Sequence, residues 1–324
     1  MKKFLLSLIL AVTMLTGILP ATTVSAATAV WPTLSQNSSG EEVRALQYLL
    51  KSAGKYSATP NASFDSATKT AVINYQAANN LSQNGVVDTA TWTALTNKIV
   101  KKGSIDSNAV YAIQYLLNKK FGFSSIALDG VFGVATKATV HRFQVAISQT
   151  PSISTNDGIV GPITWKNLIG ISKTSASISA WWYVYVELPS NRDNLGKLYL
   201  YDSTGGSLLS SALDCKGKGA TGTADWLTVN SNTPLGCFKG DLSAAAEPPS
   251  SSYGLYRVVK LDDGDINGVA PGRSGIWIHS HAASDAIESD NTHGCLLLRS
   301  TGHKILADAL ANTGMTRGFV IICE

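Results

Sequence analysis

Charge is scarce in this sequence: Asp, Glu, Lys and Arg make up only 15% of its 324 residues, against 44% hydrophobic residues. A chain so apolar and so weakly charged buries enough surface to fold, which excludes intrinsic disorder. Cysteine is rarer still, with four residues (Cys215, Cys237, Cys295 and Cys323), all in the second half, so a disulfide-stapled miniature scaffold is excluded as well. The 10 Pro and 28 Gly are scattered, which rules out a collagen-like chain. Long apolar runs are also missing beyond the first twenty residues, where Phe4 to Leu19 is interrupted by Ser7, Thr13, Thr16 and Gly17. That run falls short of the roughly 20 residues that span a bilayer.

Lys2 and Lys3 precede the run, and Val24-Ser25-Ala26 ends it with small residues, so residues 1–26 read as a secretory signal peptide. The expectation is a secreted protein with no stable membrane anchor after cleavage. The length predicts two or three domains. Charge divides the remainder: residues 27–179 carry 13 basic and 7 acidic side chains, residues 180–324 carry 11 and 15. A basic front half favours an anionic matrix, such as an anionic wall polymer, but its charge is too dilute for a nucleic-acid groove, and nucleic acid is not expected as a partner.

The front half repeats itself. Val43-Arg44-Ala45-Leu46-Gln47-Tyr48-Leu49-Leu50 matches Val110-Tyr111-Ala112-Ile113-Gln114-Tyr115-Leu116-Leu117, and Phe64-Asp65-Ser66-Ala67-Thr68-Lys69 matches Phe132-Gly133-Val134-Ala135-Thr136-Lys137. Gly85-Val86-Val87 with Trp92 then matches Gly158-Ile159-Val160 with Trp165. Apolar residues spaced by three and four predict a first helix in each copy, a second over 71–78 and 138–145, and a third starting near Thr89 or Pro162. Leu46, Leu49, Leu116 and Trp165 read as core. The two copies, 35–98 and 104–170, resemble the three-helix peptidoglycan-binding domain, and the resemblance implies peptidoglycan as the partner. The first copy departs from the pattern at Pro60-Asn61-Ala62-Ser63, where the second has Leu128-Asp129-Gly130-Val131. Residues 171–180, rich in Ser, read as a linker.

The second half changes period. Trp181 to Val186 and Lys197 to Tyr201 are aromatic and β-branched, and shorter runs follow at 256–261, 275–280 and 318–323. They predict a mainly-β domain over 181–324 with one helix near 304–311. Chemistry concentrates in Gly275-Ile276-Trp277-Ile278-His279-Ser280-His281 and Thr292-His293-Gly294-Cys295-Leu296-Leu297-Leu298-Arg299. A thiol becomes a strong nucleophile only when a base or a positive field helps to ionise it, so a partner histidine is expected. Gly294 allows close backbone approach, and N–H groups around Cys295 can hold an oxyanion. His279, His281, His293 and Cys295 would also provide a zinc ligand set, which a chelator titration would separate from thiol chemistry.

The His279 to Cys295 spacing of sixteen, with Thr-His-Gly before the cysteine, resembles the L,D-transpeptidase catalytic domain, the YkuD-like fold. The turn Asn232-Thr233-Pro234-Leu235-Gly236 and the segment Gly272-Arg273-Ser274-Gly275 also follow that family's order. The resemblance implies that Cys295 attacks the carbonyl at the L-centre of a tetrapeptide stem, with His279 as base and later acid, oriented by a backbone carbonyl. It implies no cofactor and no metal. Thr292, His293, Gly294 and Ser280 are implied as oxyanion or substrate support. The family's arginine two positions after the cysteine is Leu297 here, which leaves Arg299 and Arg273 as candidates; if the chain stays extended, 295, 297 and 299 share one face. Hydrolysis by an L,D-carboxypeptidase or wall hydrolase, and a non-catalytic wall-binding protein, stay open. His303 reads as a helix-surface residue. With Cys295 kept free as nucleophile, two readings of Cys215 and Cys237 stay open: a disulfide across neighbouring strands, or reduced thiols.

Overall fold

Why the repeat's glutamines recur becomes visible in the computed structural model, which describes residues 29–147, 157–171, 182–218, 232–233, 235–242, 259–261, 277–280 and 295–324. The expected signal peptide, residues 172–180 of the expected linker, and Arg273, His281, Thr292, His293 and Gly294 lie outside the described residues. The first copy forms α1 (Glu41–Ser52), α2 (Ser66–Ala78) and α3 (Thr89–Thr96). The second forms α4 (Ser107–Tyr115), a π-helical turn at Leu116–Lys120, α5 (Val134–Ile147) and α6 (Pro162–Gly170). Asp65, Asp88 and Asp106 cap α2, α3 and α4 by accepting from the N–H groups of Thr68, Thr91 and Ala109, which starts α2 five residues before the apolar pattern does.

Four buried glutamines stitch helix to turn in the same manner. Gln114 donates from Nε2 to Asp129 Oδ1, the Val131 carbonyl and Thr136 Oγ1, while its Oε1 accepts from the N–H groups of Asp129 and Gly130. Gln47, Gln76 and Gln144 do the same for the turns at 61–63, 84–86 and 157–159. Each copy is therefore itself two related halves, a helix end tied by its glutamine to the turn that follows. A buried amide satisfied this fully specifies the turn as firmly as an apolar contact would.

Those turns need a residue with positive φ, and three of the four use glycine: Gly85, Gly130 and Gly158, at φ 68°, 70° and 70°, whereas the fourth has Ala62 at φ 63°. A side chain in the left-handed region costs about 1–2 kcal/mol. Ala62→Gly is therefore expected to stabilise the front half by about 1 kcal/mol, after glycine's greater unfolded-state entropy is set against the relieved strain. Urea unfolding checks it; an unchanged or lowered midpoint would show that the turn accommodates alanine without strain.

The two copies share a single core. Leu46, Leu49, Leu50, Ile113, Leu116, Leu117, Trp92 and Trp165 belong to one buried cluster. Helices α1 and α4 meet through Tyr48, stacked on Tyr111 and Tyr115 at ring separations of 5.3 and 5.4 Å, with the Arg44 guanidinium 5.0 Å from the Tyr115 ring.

The second half is a closed barrel of β1 (Trp182–Glu187), β2 (Gly196–Tyr201), β3 (Leu213–Lys216), β4 (Gly236–Asp241), β5 (Val259–Leu261), β6 (Trp277–His279), β7 (Leu296–Leu298) and β8 (Arg317–Cys323), with α7 (Ser300–Asn312) as its described helix. The strand order is β1-β2-β3-β7-β6-β5-β4-β8, and β8 closes on β1 in parallel. Alternation sends Trp182, Val184, Leu198, Leu200, Cys215, Ile278, Leu296, Leu298 and Val320 into one interior with Leu306 and Leu310 of α7. On the outside, Tyr183, Tyr185, Tyr201 and Ile321 pack against Ala138 of α5. Tyr183 Oη donates to the Ala138 carbonyl at 3.2 Å, Arg142 Nη1 donates to the Asp202 carbonyl at 2.8 Å, and Lys102 pairs with Glu187 at 2.7 Å. The helical half thus docks on β8, β1 and β2.

Candidate active site

On the part of the barrel away from that contact, β7 lies between β3 and β6. Strands β6 and β7 are parallel, with Ile278 opposite Leu296 and His279 opposite Leu297. Since Ile278, Leu296 and Leu298 fill the interior, His279, Leu297 and Cys295 share the outer face. Cys295 precedes β7 by one residue, so its Cα lies one strand across and two residues back from that of His279, roughly 8 Å away by strand geometry. Both residues are buried, at 7% and 6% exposure.

Each is held by its surroundings. His279 Nδ1 lies 3.2 Å from the carbonyl of Ser280. A proton on Nδ1 donated to that oxygen leaves Nε2 as the acceptor, the tautomer a general base requires. Ser280 is fixed in turn: its Oγ is 2.9 Å from His303 Nδ1, and both side chains are buried. The cysteine's carbonyl accepts from Thr233 Oγ1 at 2.6 Å, and the Thr233 N–H donates to the Gly217 carbonyl at 2.8 Å. Thr233 therefore bridges the end of β3 to the start of β7 just where the thiol leaves the sheet.

Three expectations change. His303 is 1% exposed rather than on the helix surface, because it sits on the buried stripe of α7 with Gly302, Leu306, Ala307 and Leu310. That stripe, read at spacings of three and four, would have found it in the sequence. The strand ends at Leu298, so the row 295, 297, 299 is not continued as strand: Arg299 is the N-cap of α7, with Nε 3.8 Å from Asp214 Oδ2. Its level is about 13 Å along the strand from Cys295. Finally, Cys215 is a free, buried thiol, and β3 and β4 are not neighbours, since β3 pairs with β2 and β7 and β4 with β5 and β8. The disulfide reading of Cys215 and Cys237 is corrected accordingly. Burial pushes the Cys215 thiol well above its ordinary range, and burial likewise raises Cys323, which lies 3.0 Å from Tyr185 Oη. Arg273, Thr292, His293 and Gly294 lie outside the described residues, and so does His281 of the zinc alternative.

Comparison with known proteins bears on both halves. The family model described as a putative peptidoglycan binding domain matches residues 39–95 and 106–168. An uncharacterized protein in the bpoA1 3' region of Kitasatospora aureofaciens is 39% identical over 61 residues, 19% of this chain and 48% of that protein, so the chain spans about half the length of the curated relative it matches. Solved structures similar to the chain include an L,D-transpeptidase from Xylanimonas cellulosilytica, 18% identical over 66% of this chain and 92% of that one, with a TM-score of 0.26. An L,D-transpeptidase (Yku) from Stackebrandtia nassauensis is 12% identical over 91% and 97%, with a TM-score of 0.27. A fused Zn-dependent amidase/peptidase/peptidoglycan-binding domain-containing protein from Clostridium acetobutylicum is 14% identical over 90% and 100%, with a TM-score of 0.26. At such scores these structural likenesses carry no argument about the chemistry. The two family matches support peptidoglycan as the partner of the helical half, which precedes a sheet-built second half.

Proposed function

We propose that the protein is an exported cell-wall enzyme, a cysteine L,D-transpeptidase that forms an acyl-enzyme with a peptidoglycan stem peptide and transfers it to an amine of a second stem. One observation carries this reading: Cys295 and His279 share the outer face of a parallel strand pair, with Nδ1 of the imidazole occupied by a backbone carbonyl. In this reading Nε2 of His279 takes the thiol proton as Sγ attacks the acyl carbon. Backbone N–H groups near Gly294 and Cys295 receive the oxyanion. Collapse breaks the C–N bond, and the imidazolium returns its proton to the departing amine of the terminal D-amino acid. The acceptor amine then attacks the thioester, its proton passes to His279, the C–S bond breaks, and the thiolate is reprotonated. Ser280, Thr292 and His293 serve as supports in this scheme, and Arg273 and Arg299 are candidates to hold the donor's carboxylate; it calls for no metal.

The helical half would hold this site on its polymer, so that effective concentration substitutes for tight binding in the pocket. It docks on β8, β1 and β2, and none of its described helices packs on β6 or β7. Purified protein incubated with tetrapeptide muropeptides and followed by mass spectrometry tests the reading. New dimers joined at the L-centre carbonyl are expected; stems shortened without cross-links would make the enzyme a hydrolase, and unchanged stems would overturn the catalytic reading.

A further inference from the structure

A charged side chain stands on the candidate catalytic face that no step above employs. Strand β3 meets β7 antiparallel, with Cys215 opposite Leu298 and Lys216 opposite Leu297, while His279 is opposite the same Leu297 from β6. Directly opposed residues project from one face of a sheet, so Lys216, Leu297 and His279 form a row across three strands. Cys295 lies two residues back on the middle strand. Lys216 and His279 therefore hold matching places on either side of it, each roughly 8 Å from it between Cα atoms. Lys216 is only 2% exposed. An ammonium so far out of water is costly, and its field is screened much less than that of a surface lysine.

Carboxylates neighbour the cations on this side of the barrel, Lys216 included. Asp214, the next outward-facing residue of β3, receives Lys197 and lies 3.8 Å from Arg299, two residues further from Cys295 than Lys216 is. Lys218 is paired with Asp193. Asp193 is held below the ordinary carboxylate range, first by Lys218 and also by the charge of Lys216. Lys216 thus brings positive charge closer to Cys295, along the sheet, than Arg299 does.

We infer that Lys216 is a positioning residue for the thiol chemistry: its ammonium makes the Cys295 face electropositive and favours the thiolate formed when the proton passes from Sγ to His279. This rests on reading Cys295 as the nucleophile. The full chain, Lys216→Met, Lys216→Gln and Lys216→Arg are alkylated with neutral iodoacetamide and with anionic iodoacetate, and adducts on the Cys295 peptide are quantified by mass spectrometry. The iodoacetate-to-iodoacetamide rate ratio is expected to fall about tenfold in the Met and Gln variants, the scale of one unit charge at such a distance in a medium between protein and water. In the Arg variant it stays within about twofold of wild type, which a merely structural role would not produce. The Gln variant is read in parallel, so a Met variant that fails to fold does not remove the test. A ratio unchanged in folded Lys216→Gln or Lys216→Met overturns this inference alone. No adduct at Cys295 in the wild type overturns the nucleophile reading, and this inference with it.

Discussion

Cys295→Ala is expected to abolish the proposed acyl-enzyme formation and turnover, a loss on the order of 10⁴-fold or more, and to leave retention on peptidoglycan as it was. The size follows from removing the attacking atom itself, which no other thiol on that face replaces among the described residues. Cys215 is enclosed in the barrel interior with its thiol raised by burial, and Cys323 is raised by burial beside Tyr185 at the edge of the contact with α5. Neither is positioned to attack in place of Cys295. Retention is spared because the helical half meets the barrel on β8, β1 and β2. If the proposed nucleophile is right, a carbapenem is expected to add covalently to the wild type and not to the variant, and intact mass reads both arms. Wild-type turnover in Cys295→Ala, or an adduct mapped to Cys215, would remove this assignment.

Mild acid is expected to weaken the helical half, through His141. This side chain of α5 is 4% exposed, and its Nδ1 has no hydrogen-bond partner among the described residues. Burial first, then the charge of Lys137, lowers its pKa to about 3. A histidine depressed in the folded state stays neutral there, while in the unfolded chain it takes up a proton below its usual value near 6.5. The unfolded state therefore binds more protons between roughly pH 6.5 and 3, and stability falls as pH falls across that window, by up to about 1.4 kcal/mol per unit. Between pH 6.5 and 5 the loss reaches about 1.6 kcal/mol, because the unfolded histidine is already half protonated at pH 6.5. Urea unfolding of wild type and His141→Met at both pH values isolates this contribution, since every other histidine is common to the two. The capping carboxylates Asp65 and Asp88, held low mainly by backbone N–H groups, lose their contribution only at lower pH, below the ordinary aspartate value. Equal pH dependence in the two proteins would show that His141 is hydrated or paired in the folded state.

Much of this was legible along the chain. The offset of the two copies, with Leu46 aligned to Ile113 and Trp92 to Trp165, located six helices, because a buried helix face writes its own spacing into the sequence. The aromatic runs located β1 and β2 and the shorter runs β5, β6 and β8, while the short β3 and β7 were only implied by the turns and motifs beside them. The glutamines were seen to recur without a reason, because a hydrogen bond from Gln114 to a turn fifteen to twenty-two residues away leaves no periodic trace.

The sequence by itself determined what each stretch buries and which chemical groups it carries: helices in front, strands behind, and a histidine sixteen residues before a cysteine. Only the tertiary structure decided the neighbours. It set β7 between β3 and β6, which aligns Lys216, Leu297 and His279 in one row, and it separated β3 from β4, which parts Cys215 from Cys237. It also buried His303 beneath Ser280 and joined the two copies through Tyr48, Tyr111 and Tyr115. Burial is a property of one residue and repeats with the local period. Adjacency belongs to a pair of residues, and closing the barrel selects one strand order from many that would bury the same side chains.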